Sequence, residues 1–375
     1  MRLTIERSNL IRALARTTRV VERRNTIPIL SNVLLRAEGD ALHMKATDLD
    51  LEVAEEVSAH IDQLGATTVP AHLLHDIVRK LPDGSEVQLR TSEDGNGVSV
   101  AAGRSNFRLQ TLPEGDFPDL TAGEFTNSFA MPAAELAMLI ERTAFAISTE
   151  ETRYYLNGIY CHVIEGHLRA VATDGHRLAR AEVDAPEGTD GMPGIIVPRK
   201  TVGEVQKLLG AAQPGGEGEQ AQIRVQVSDA KIRFSLGGVV LTSKLIDGTF
   251  PDYQRVIPAA NDKALTLDRQ SFASAVDRVA TVSSERGRAV KLALGEGQLT
   301  LTVNNPDSGS AEEELAVGYE DDAMEIGFNA RYLLDIAAQI TGEEAVFMLN
   351  DAGSPTLIRD GGDERSLYVL MPMRV

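Results

Sequence analysis

The chain has 375 residues, of which 43% are hydrophobic and 25% charged, and this length predicts two or three globular domains. Its 55 acidic residues outnumber the 37 basic ones and give a net charge of −18, which excludes a uniformly basic surface for nucleic acid. No apolar run is long enough for a membrane span, and the charged start at residues 1–7 lacks the apolar stretch of a secretory signal. A cytoplasmic protein is therefore expected.

Cysteine usage narrows the classes of site further. Cys161 is the single cysteine, so neither an internal disulfide nor a multi-cysteine zinc site can form. Its apolar neighbours predict a buried strand thiol rather than a nucleophile. We expect no metal and no cofactor.

Four kinds of segment recur in the same order, roughly 130 residues apart, the first three kinds in three copies and the fourth in two. An amphipathic helix comes first, at 10–16, 136–142 and 272–278. A hairpin with a polar turn follows, at Asp48, Asp174 and Asn305. A short strand then leads into a second helix, with Val69, Val197 and Gly327 aligned. A strand pair comes last, followed by Phe-Pro-Asp at 117–119 and 250–252, whereas the third copy ends the chain at 370–375.

The order of these segments predicts an α+β fold of three tandem domains, each with two helices and antiparallel sheets. Strand-like alternation is present at 33–37, 87–90, 98–100 and 223–227. Hairpin turns are predicted at 38–40, 94–97 and 295–297. We expect domains at 1–122, 123–257 and 258–375, with residues 211–219 as a surface loop.

Basic residues recur on the predicted helices of this acidic chain. A spacing of four, three and four places Arg12, Arg16, Arg19 and Arg23 on one face of the first helix. Further bases mark the other helices: Arg79, Lys80, Arg199, Lys200, Lys207, Arg278 and Arg331. They can be ordinary solvated faces, or they can line a hole for duplex DNA, with the acidic exterior repelling DNA elsewhere. No base-reading motif is visible.

The ordered motifs resemble one known family over essentially the whole chain, the β subunit of bacterial DNA polymerase III. The segments that carry the resemblance lie at 26–30, 153–158, 172–178, 197–200, 242–245, 250–253, 325–329 and 371–374. Membership implies a non-catalytic sliding clamp, a processivity factor that closes as a head-to-tail homodimeric ring around double-stranded DNA. The implied dimer contacts are Phe107 and Leu109 on one edge, and Thr281 and Val282 on the other.

The resemblance also implies a cleft that receives short apolar peptides. Its partners would be the replicative polymerase alpha subunit, the clamp loader, repair polymerases and mismatch-repair proteins. The implied wall residues are Leu156, Thr173, Gly175, His176, Arg177, Leu178, Pro251, Arg255, Val256, Asn329, Tyr332, Pro355, Val369, Met371, Pro372, Met373 and Arg374. The implied DNA-contacting residues are Arg24, Lys80, Tyr154, Tyr155, Arg199 and Lys200. Gly287 and Glu150 depart from the family pattern.

Two alternatives stay open at this point. A hydrolase could use Asp174 to orient His176 as a general base, although no nucleophile motif accompanies the pair. A repeat scaffold could bind proteins without encircling DNA. The clamp hypothesis is favoured because it accounts for both the repeat and the distribution of bases.

Overall fold

The structure is a computed structural model that describes residues 1–120, 123–211, 220–283 and 289–375. Gly287, residue 122 at a predicted domain boundary, and residues 212–219 of the predicted loop lie outside the described residues. The α-helices within the described ranges are α1 (Arg7–Val20), α2 (Ala71–Lys80), α3 (Ala133–Ala144), α4 (Arg199–Gly210), α5 (Arg269–Ala280) and α6 (Ala330–Ala337).

The strands follow the three predicted copies. Those of the first copy are β1 (Arg2–Glu6), β2 (Asn32–Glu38), β3 (Ala41–Thr47), β4 (Leu51–Ser58), β5 (His60–Gln63), β6 (Gly65–Pro70), β7 (Glu86–Thr91), β8 (Gly97–Ala102) and β9 (Ser105–Gln110). Those of the second copy are β10 (Asn127–Pro132), β11 (Gly158–Ile164), β12 (His167–Thr173), β13 (Arg177–Asp184), β14 (Ile195–Pro198), β15 (Gln222–Val227), β16 (Lys231–Leu236) and β17 (Val239–Lys244). Those of the third copy are β18 (Lys263–Asp268), β19 (Ala289–Gly295), β20 (Gln298–Asn305), β21 (Gly309–Ala316), β22 (Met324–Asn329), β23 (Glu344–Leu349), β24 (Thr356–Asp360) and β25 (Asp363–Leu370).

The chain divides into two compact units, residues 1–133 with 211–245, and residues 134–210 with 246–375. The first unit holds a five-stranded sheet, β5-β1-β7-β8-β9, and an eight-stranded sheet, β10-β15-β16-β17-β4-β3-β2-β6. The second unit holds an eight-stranded sheet, β14-β11-β12-β13-β25-β24-β23-β18, and a four-stranded sheet, β21-β20-β19-β22. Helix α1 packs on β3 and β4, and α5 packs on β20 and β21.

Each eight-stranded sheet joins two successive copies through one antiparallel strand pair. In the first unit β4 pairs with β17, and Leu51 lies opposite Ser243. In the second unit β13 pairs with β25, and Arg177 lies opposite Leu370. We call these pairs, with the turns that precede β4 and β13, the first junction and the second junction. Because the two sheets run through the same order of equivalent strands, the predicted tandem repetition and α+β class are confirmed.

One detail of the predicted alignment is wrong. The second helix of each copy starts at residue 71, 199 or 330, so the third copy has one more residue between Gly327 and its helix than the alignment assumed. The structurally equivalent strand positions are therefore Thr68, Ile196 and Gly327. The period-two pattern of a short strand is too weak a signal to detect a shift of one residue.

The basic face of α1 is also shorter than predicted. Leu10, Leu14 and Thr17 are buried on one side, as the helical spacing requires, and Arg12 and Arg19 are exposed. The helix ends at Val20, however, and the next residue has extended backbone angles (φ −73°, ψ 116°). Arg23 therefore lies after the helix and does not extend its basic face.

The single cysteine and the lengths of the helices bear on two predictions made from the sequence. Cys161 lies in the interior of β11, where desolvation raises the pKa of its thiol to about 12, so the thiolate that a nucleophile needs is disfavoured. Among the described residues, no helix combines the length and the apolar character needed to cross a bilayer.

Candidate functional site

A cavity of about 240 Å³ opens on the second unit beside the second junction. Its residues come from four places: the turn before β13, a 3-10 helix at Glu151–Leu156, the segment after β17, and the end of β25. The lining residues are Arg153, Tyr155, Leu156, Thr173, Gly175, His176, Arg177, Leu178, Pro251, Val256, Val369 and Met371. Most of this lining is apolar, with polar groups at the rim, which is the usual character of a ligand cleft.

The turn before β13 is held by its own side chains. The Asp174 Oδ1 accepts hydrogen bonds from the backbone N–H groups of His176 and Arg177, at 2.9 and 3.0 Å. The Thr173 hydroxyl donates to the Arg177 carbonyl at 2.7 Å. Gly175 takes the left-handed conformation, with φ +87°, which glycine adopts without steric cost. The turn thereby presents His176 at the cavity mouth.

Gly175 is also needed for space. A Cβ there would overlap the Arg153 guanidinium, which donates to the Asp174 carbonyl oxygen at 3.0 Å. Arg153 Nε donates in turn to Glu150 Oε2 at 2.8 Å, and this hydrogen bond lowers the pKa of the Glu150 carboxyl. Arg153 therefore lies across the turn as one wall of the cavity.

Arg177 ties the cavity wall to α6 and is only 9% exposed. Its guanidinium donates to Asp335 Oδ2 at 2.5 Å, to Asp174 Oδ2 at 3.1 Å and to the Phe145 carbonyl oxygen at 2.7 Å. The same group lies over the Tyr332 ring, 4.2 Å from its centre. Such a buried, fully bonded arginine stabilises the junction of the second and third copies as well as lining the cleft.

An apolar cluster forms the floor beneath the cavity. Its members are Leu156, Val171, Leu178, Ile196, Phe250, Tyr253, Leu357, Leu367 and Val369. The Tyr253 hydroxyl lies 2.9 Å from the His162 Nε2, and this hydrogen bond anchors the short 3-10 helix Tyr253–Val256. Val256 at the end of that helix is 45% exposed and stands at the cavity rim.

The structure brings ten of the expected cleft residues onto the cavity wall and places the others nearby or elsewhere. Asn329 caps α6, accepting from the backbone N–H groups of residues 331 and 332. Tyr332 lies under Arg177, and burial raises the pKa of its hydroxyl. The Pro355 carbonyl accepts from Asn261 at 2.9 Å. Expected residues that the described cavity wall does not include are Arg255, Asn329, Tyr332, Pro355, Pro372, Met373 and Arg374.

Two wall residues were not expected there. Arg153 had no assigned role, and Tyr155 was expected on the DNA side. Both belong to the motif at 153–158, and their position directly before Leu156 was the available signal. Two short 3-10 turns in Glu151–Leu156 are separated by a kink at Arg153 (φ −111°, ψ 51°), and sequence periodicity does not reveal that conformation.

The hydrolase alternative loses its geometric basis. Both Asp174 oxygens are bonded to the turn and to Arg177, so this carboxylate does not orient the His176 imidazole. A general base needs such an orienting partner or a nucleophile within hydrogen-bond reach. The site is built for shape and apolar contact instead.

Comparison with known proteins identifies the family to which the chain belongs. Three domains of the DNA polymerase III beta subunit match the chain: the N-terminal domain at residues 1–121, the central domain at 130–252 and the C-terminal domain at 254–374. The chain belongs to the DNA polymerase III beta subunit family. Members of this family are sliding clamps, processivity factors without catalytic activity.

The similarity to individual clamps extends over the full length. The chain is 55% identical to a beta sliding clamp of Caulobacter vibrioides, and each chain is covered completely. A sliding clamp from Bartonella birtlesii bound to griselimycin is 58% identical, with a TM-score of 0.95 and full coverage of both chains. The clamp from Caulobacter crescentus is 55% identical, with a TM-score of 0.93 and full coverage of both chains.

The residues that the family resemblance assigns to DNA lie at helix ends and on short turns. In the first unit, Arg24 is exposed after α1 and Lys80 is exposed at the end of α2. In the second unit, Arg199 and Lys200 are exposed in the first turn of α4. Tyr154 is 53% exposed, and its ring packs edge-on against that of Tyr155. Glu150 lies close by, but its hydrogen bond to Arg153 offsets the negative charge.

The tenth residue of each copy's first helix is an arginine with a structural partner. Arg16 forms a bidentate ion pair with Glu55 of β4, and Arg278 forms one with Glu313 of β21. Arg142, at the same helix position, is buried and donates to Asp363 of β25 at 2.8 Å. These arginines hold helix against sheet, and the helical spacing that placed Arg16 on one face with Arg12 did not indicate its ion pair with Glu55.

The expected dimer residues lie at strand edges. Phe107 and Leu109 belong to β9, the edge strand of the five-stranded sheet, and Phe107 is 37% exposed. Thr281 and Val282 follow α5, and the Val282 carbonyl accepts from Asn305 at 2.9 Å. Asn305 pairs with the first residue of β21, the edge strand of the four-stranded sheet.

Proposed function

We propose that two copies of this chain close head-to-tail into a ring around duplex DNA, and that the cavity of the second unit binds short apolar peptides of replication and repair proteins. The domains of the ring are 1–122, 123–257 and 258–375. The DNA is held by non-specific phosphate attraction, so the affinity depends on salt and not on base sequence.

The observation that carries the proposal is the repeated strand junction. β17 pairs with β4, and β25 pairs with β13. The equivalent strands that remain are β9 at the end of the first copy and β21 in the third copy, and both are sheet edges. A second copy supplies the missing pair twice, because β9 of each chain meets β21 of the other, and this closes the ring and leaves neither strand unpaired.

Charge on the two edges supports the same pairing. β9 is flanked by Arg104 and contains Arg108, and both are exposed. β21 presents Glu312 and Glu314 as exposed side chains. Opposite charges on facing strands favour the pairing of unlike edges and disfavour that of like edges. Phe107, which is 37% exposed, adds apolar contact on β9, whereas Leu109 is buried within its own unit and does not offer its side chain to the partner.

The peptide assignment rests on the composition of the cavity. Leu156, Leu178 and Val369 provide a dry floor, whereas Met371 and Pro251 shape the rim. Flexible methionine with rigid proline suits several related apolar peptides. The proposed occupants are segments of the polymerase alpha subunit, the clamp loader, repair polymerases and mismatch-repair proteins. Griselimycin, which is bound to the clamp of Bartonella birtlesii, is proposed to occupy the same cavity here and serves as the test ligand. A protein with these partners acts in the cytoplasm.

Retention on DNA of different topology tests the ring. After assembly by a clamp loader, the protein should stay on a nicked circular plasmid through a high-salt gel filtration and leave once the plasmid is linearised. Equal retention on circular and linear DNA would instead favour the non-encircling scaffold. Light scattering checks the subunit number, since the ring requires twice the chain mass of 40.5 kDa.

A further inference from the structure

The last five residues fold back onto β22. The Met371 N–H donates to the His176 carbonyl at 2.9 Å, and the Met373 N–H donates to the Gly327 carbonyl at 2.8 Å. Met373 and Gly327 form an antiparallel bridge on the edge of the four-stranded sheet. We call residues 371–375 the tail. Its first residue lines the cavity, and its last lies against β22.

The tail makes a contact that every copy makes at its end. In the first copy Leu112 bridges Thr68, and in the second the Ile246 N–H donates to the Ile196 carbonyl at 3.0 Å. Thr68, Ile196 and Gly327 occupy equivalent strand positions. In the first two copies the chain runs on into the next domain, whereas in the third it ends on the strand. Of these three positions, only residue 327 is a glycine, and it is the one onto which the tail folds.

The space above Gly327 explains why this residue is glycine. A Cβ there would overlap a side-chain methyl of Val375 and would lie 2.7 Å from the Met373 carbonyl oxygen. Gly327 is buried, and its φ lies outside the left-handed region, so an alanine would fit the backbone. The requirement for glycine is therefore one of space, a close approach of another backbone segment.

We infer that Gly327 is a positioning residue for the peptide cleft, because it sets the depth and register at which the tail docks and so places Met371 at the cavity rim. This inference rests on the proposed peptide binding. Two backbone hydrogen bonds, from Met371 to His176 and from Met373 to Gly327, fix the first and the middle residue of the tail. If the second bond is lost, the tail is tethered only at Met371, and its side chains gain rotational freedom that peptide binding must then remove.

The matched test compares Gly327→Ala with Gly295→Ala in the full-length protein. Gly295 ends β19 in the same sheet, and a Cβ there meets open space. We expect Gly327→Ala to weaken griselimycin binding about tenfold by calorimetry, and Gly295→Ala to leave it unchanged. Carboxypeptidase should release Val375 faster from Gly327→Ala than from wild type, and at the wild-type rate from Gly295→Ala. The melting temperature of Gly327→Ala should not fall along with its affinity, since alanine suits a strand better than glycine does.

One further variant, a double substitution, separates the outcomes. Val375→Gly removes the overlapping methyls, so adding it to Gly327→Ala should recover part of the lost affinity and tail protection. Wild-type affinity together with wild-type carboxypeptidase resistance in Gly327→Ala would overturn the inference. If the wild-type protein itself does not bind griselimycin, the peptide-cleft proposal fails, whereas the carboxypeptidase comparison still decides whether Gly327 holds the tail.

Discussion

The first and second junctions have the same backbone conformation but differ in the side chains that pack against it. Each has a strand pair between successive copies and a Thr-Asp turn before its first strand. In both turns the threonine hydroxyl donates to a backbone carbonyl, and the aspartate accepts two backbone N–H groups. The third turn residue is left-handed in both, Leu49 at φ +80° and Gly175 at φ +87°.

The first junction is polar and self-satisfied. Glu52, the second residue of β4, is 1% exposed. It accepts the Leu120 backbone N–H at 3.1 Å and lies 3.4 Å from the Lys45 ammonium group, which also contacts Asp119 at 3.3 Å. These contacts bind residues 119 and 120, which connect the first copy to the second, to the first junction.

The second junction is apolar at the same position. Leu178 replaces Glu52 and joins the cluster with Phe250, Tyr253 and Val369. The segment that leaves the second copy contacts this cluster through Phe250 and Tyr253, which leaves Pro251 and Val256 on the rim of a cavity. The comparison teaches that one inherited turn supports either a closed joint or a binding cleft, depending on whether a polar or an apolar residue follows it.

The largest expected effect comes from giving the second junction the residue of the first. Leu178→Glu buries a carboxylate without a lysine or a backbone donor, and this costs about 3–5 kcal/mol. The melting temperature should fall by about 10 °C, and griselimycin binding should be lost. Leu178→Met, of similar volume, should cost less than about 1.5 kcal/mol. Unchanged melting and binding in the glutamate variant would show that the apolar floor is dispensable.

The next effect concerns a carboxylate in the second junction that is well paired. The hydrogen bonds from Arg365 and Arg142 hold the pKa of Asp363 well below its usual range. Asp363→Asn leaves the buried Arg142 without its anionic partner and should cost about 3 kcal/mol at pH 7. Since a lowered pKa stabilises the fold only while the unfolded chain would also be ionised, the loss should shrink as pH falls below about 5.

Thermal melting of Asp363→Asn and wild type between pH 3.5 and 7 measures this difference. Glu364→Gln, which changes an exposed carboxyl on the same strand, is the control and should show no comparable trend. A constant difference across that pH range would mean that the asparagine acts through packing and not through charge.

A smaller effect is expected at the left-handed turn position. Gly175→Ala adds a conformational cost of about 1 kcal/mol and displaces Arg153 from the cavity wall. Griselimycin binding should weaken about tenfold. Gly166→Ala carries the same conformational cost, at φ +78°, but its Cβ meets open space, so the affinity should stay unchanged. Equal affinities of the two variants would show that the position of Arg153 does not affect griselimycin binding.

The smallest effect belongs to the first junction. Burial raises the pKa of Glu52 despite its hydrogen bond to Leu120. A raised pKa means that the unfolded chain ionises first as pH rises above about 4.3, so the carboxyl lowers stability from that pH upward. Glu52→Gln should therefore gain stability relative to wild type, by about 1 kcal/mol or less, as pH increases from 4 to 7. Glu56→Gln, exposed on the same strand, is the control, and parallel pH profiles for all three proteins would contradict the expectation.

Much of the fold follows from local patterns. The helix at 10–16 and the strand at 223–227 have clear periods of apolar residues, and the turn at 38–40 has glycine where φ is +58°. The Thr-Asp pairs at residues 47 and 173 also indicated the same turn twice. These features depend on residues a few positions apart, so a single sequence is sufficient to predict them.

The site was only partly predictable. Ten of the seventeen expected cleft residues lie on the cavity wall, and all were expected only through resemblance to a known family, because their spacing carries no chemical motif. Arg153 and Tyr155 were missed because a kinked 3-10 segment, with the kink at Arg153, decides where they lie. The role of Arg16 was misjudged because its acid, Glu55, is 39 residues away and belongs to a strand.

By itself, the sequence determined that three similar units follow one another, because each copy repeats its own helix, turn and strand signals. Only the tertiary structure decided that one junction is closed and the other open, and that Arg142 meets an aspartate 221 residues later. The physical reason is that burial, charge pairing and free space depend on partners distant along the chain. Composition and spacing do not specify those distances.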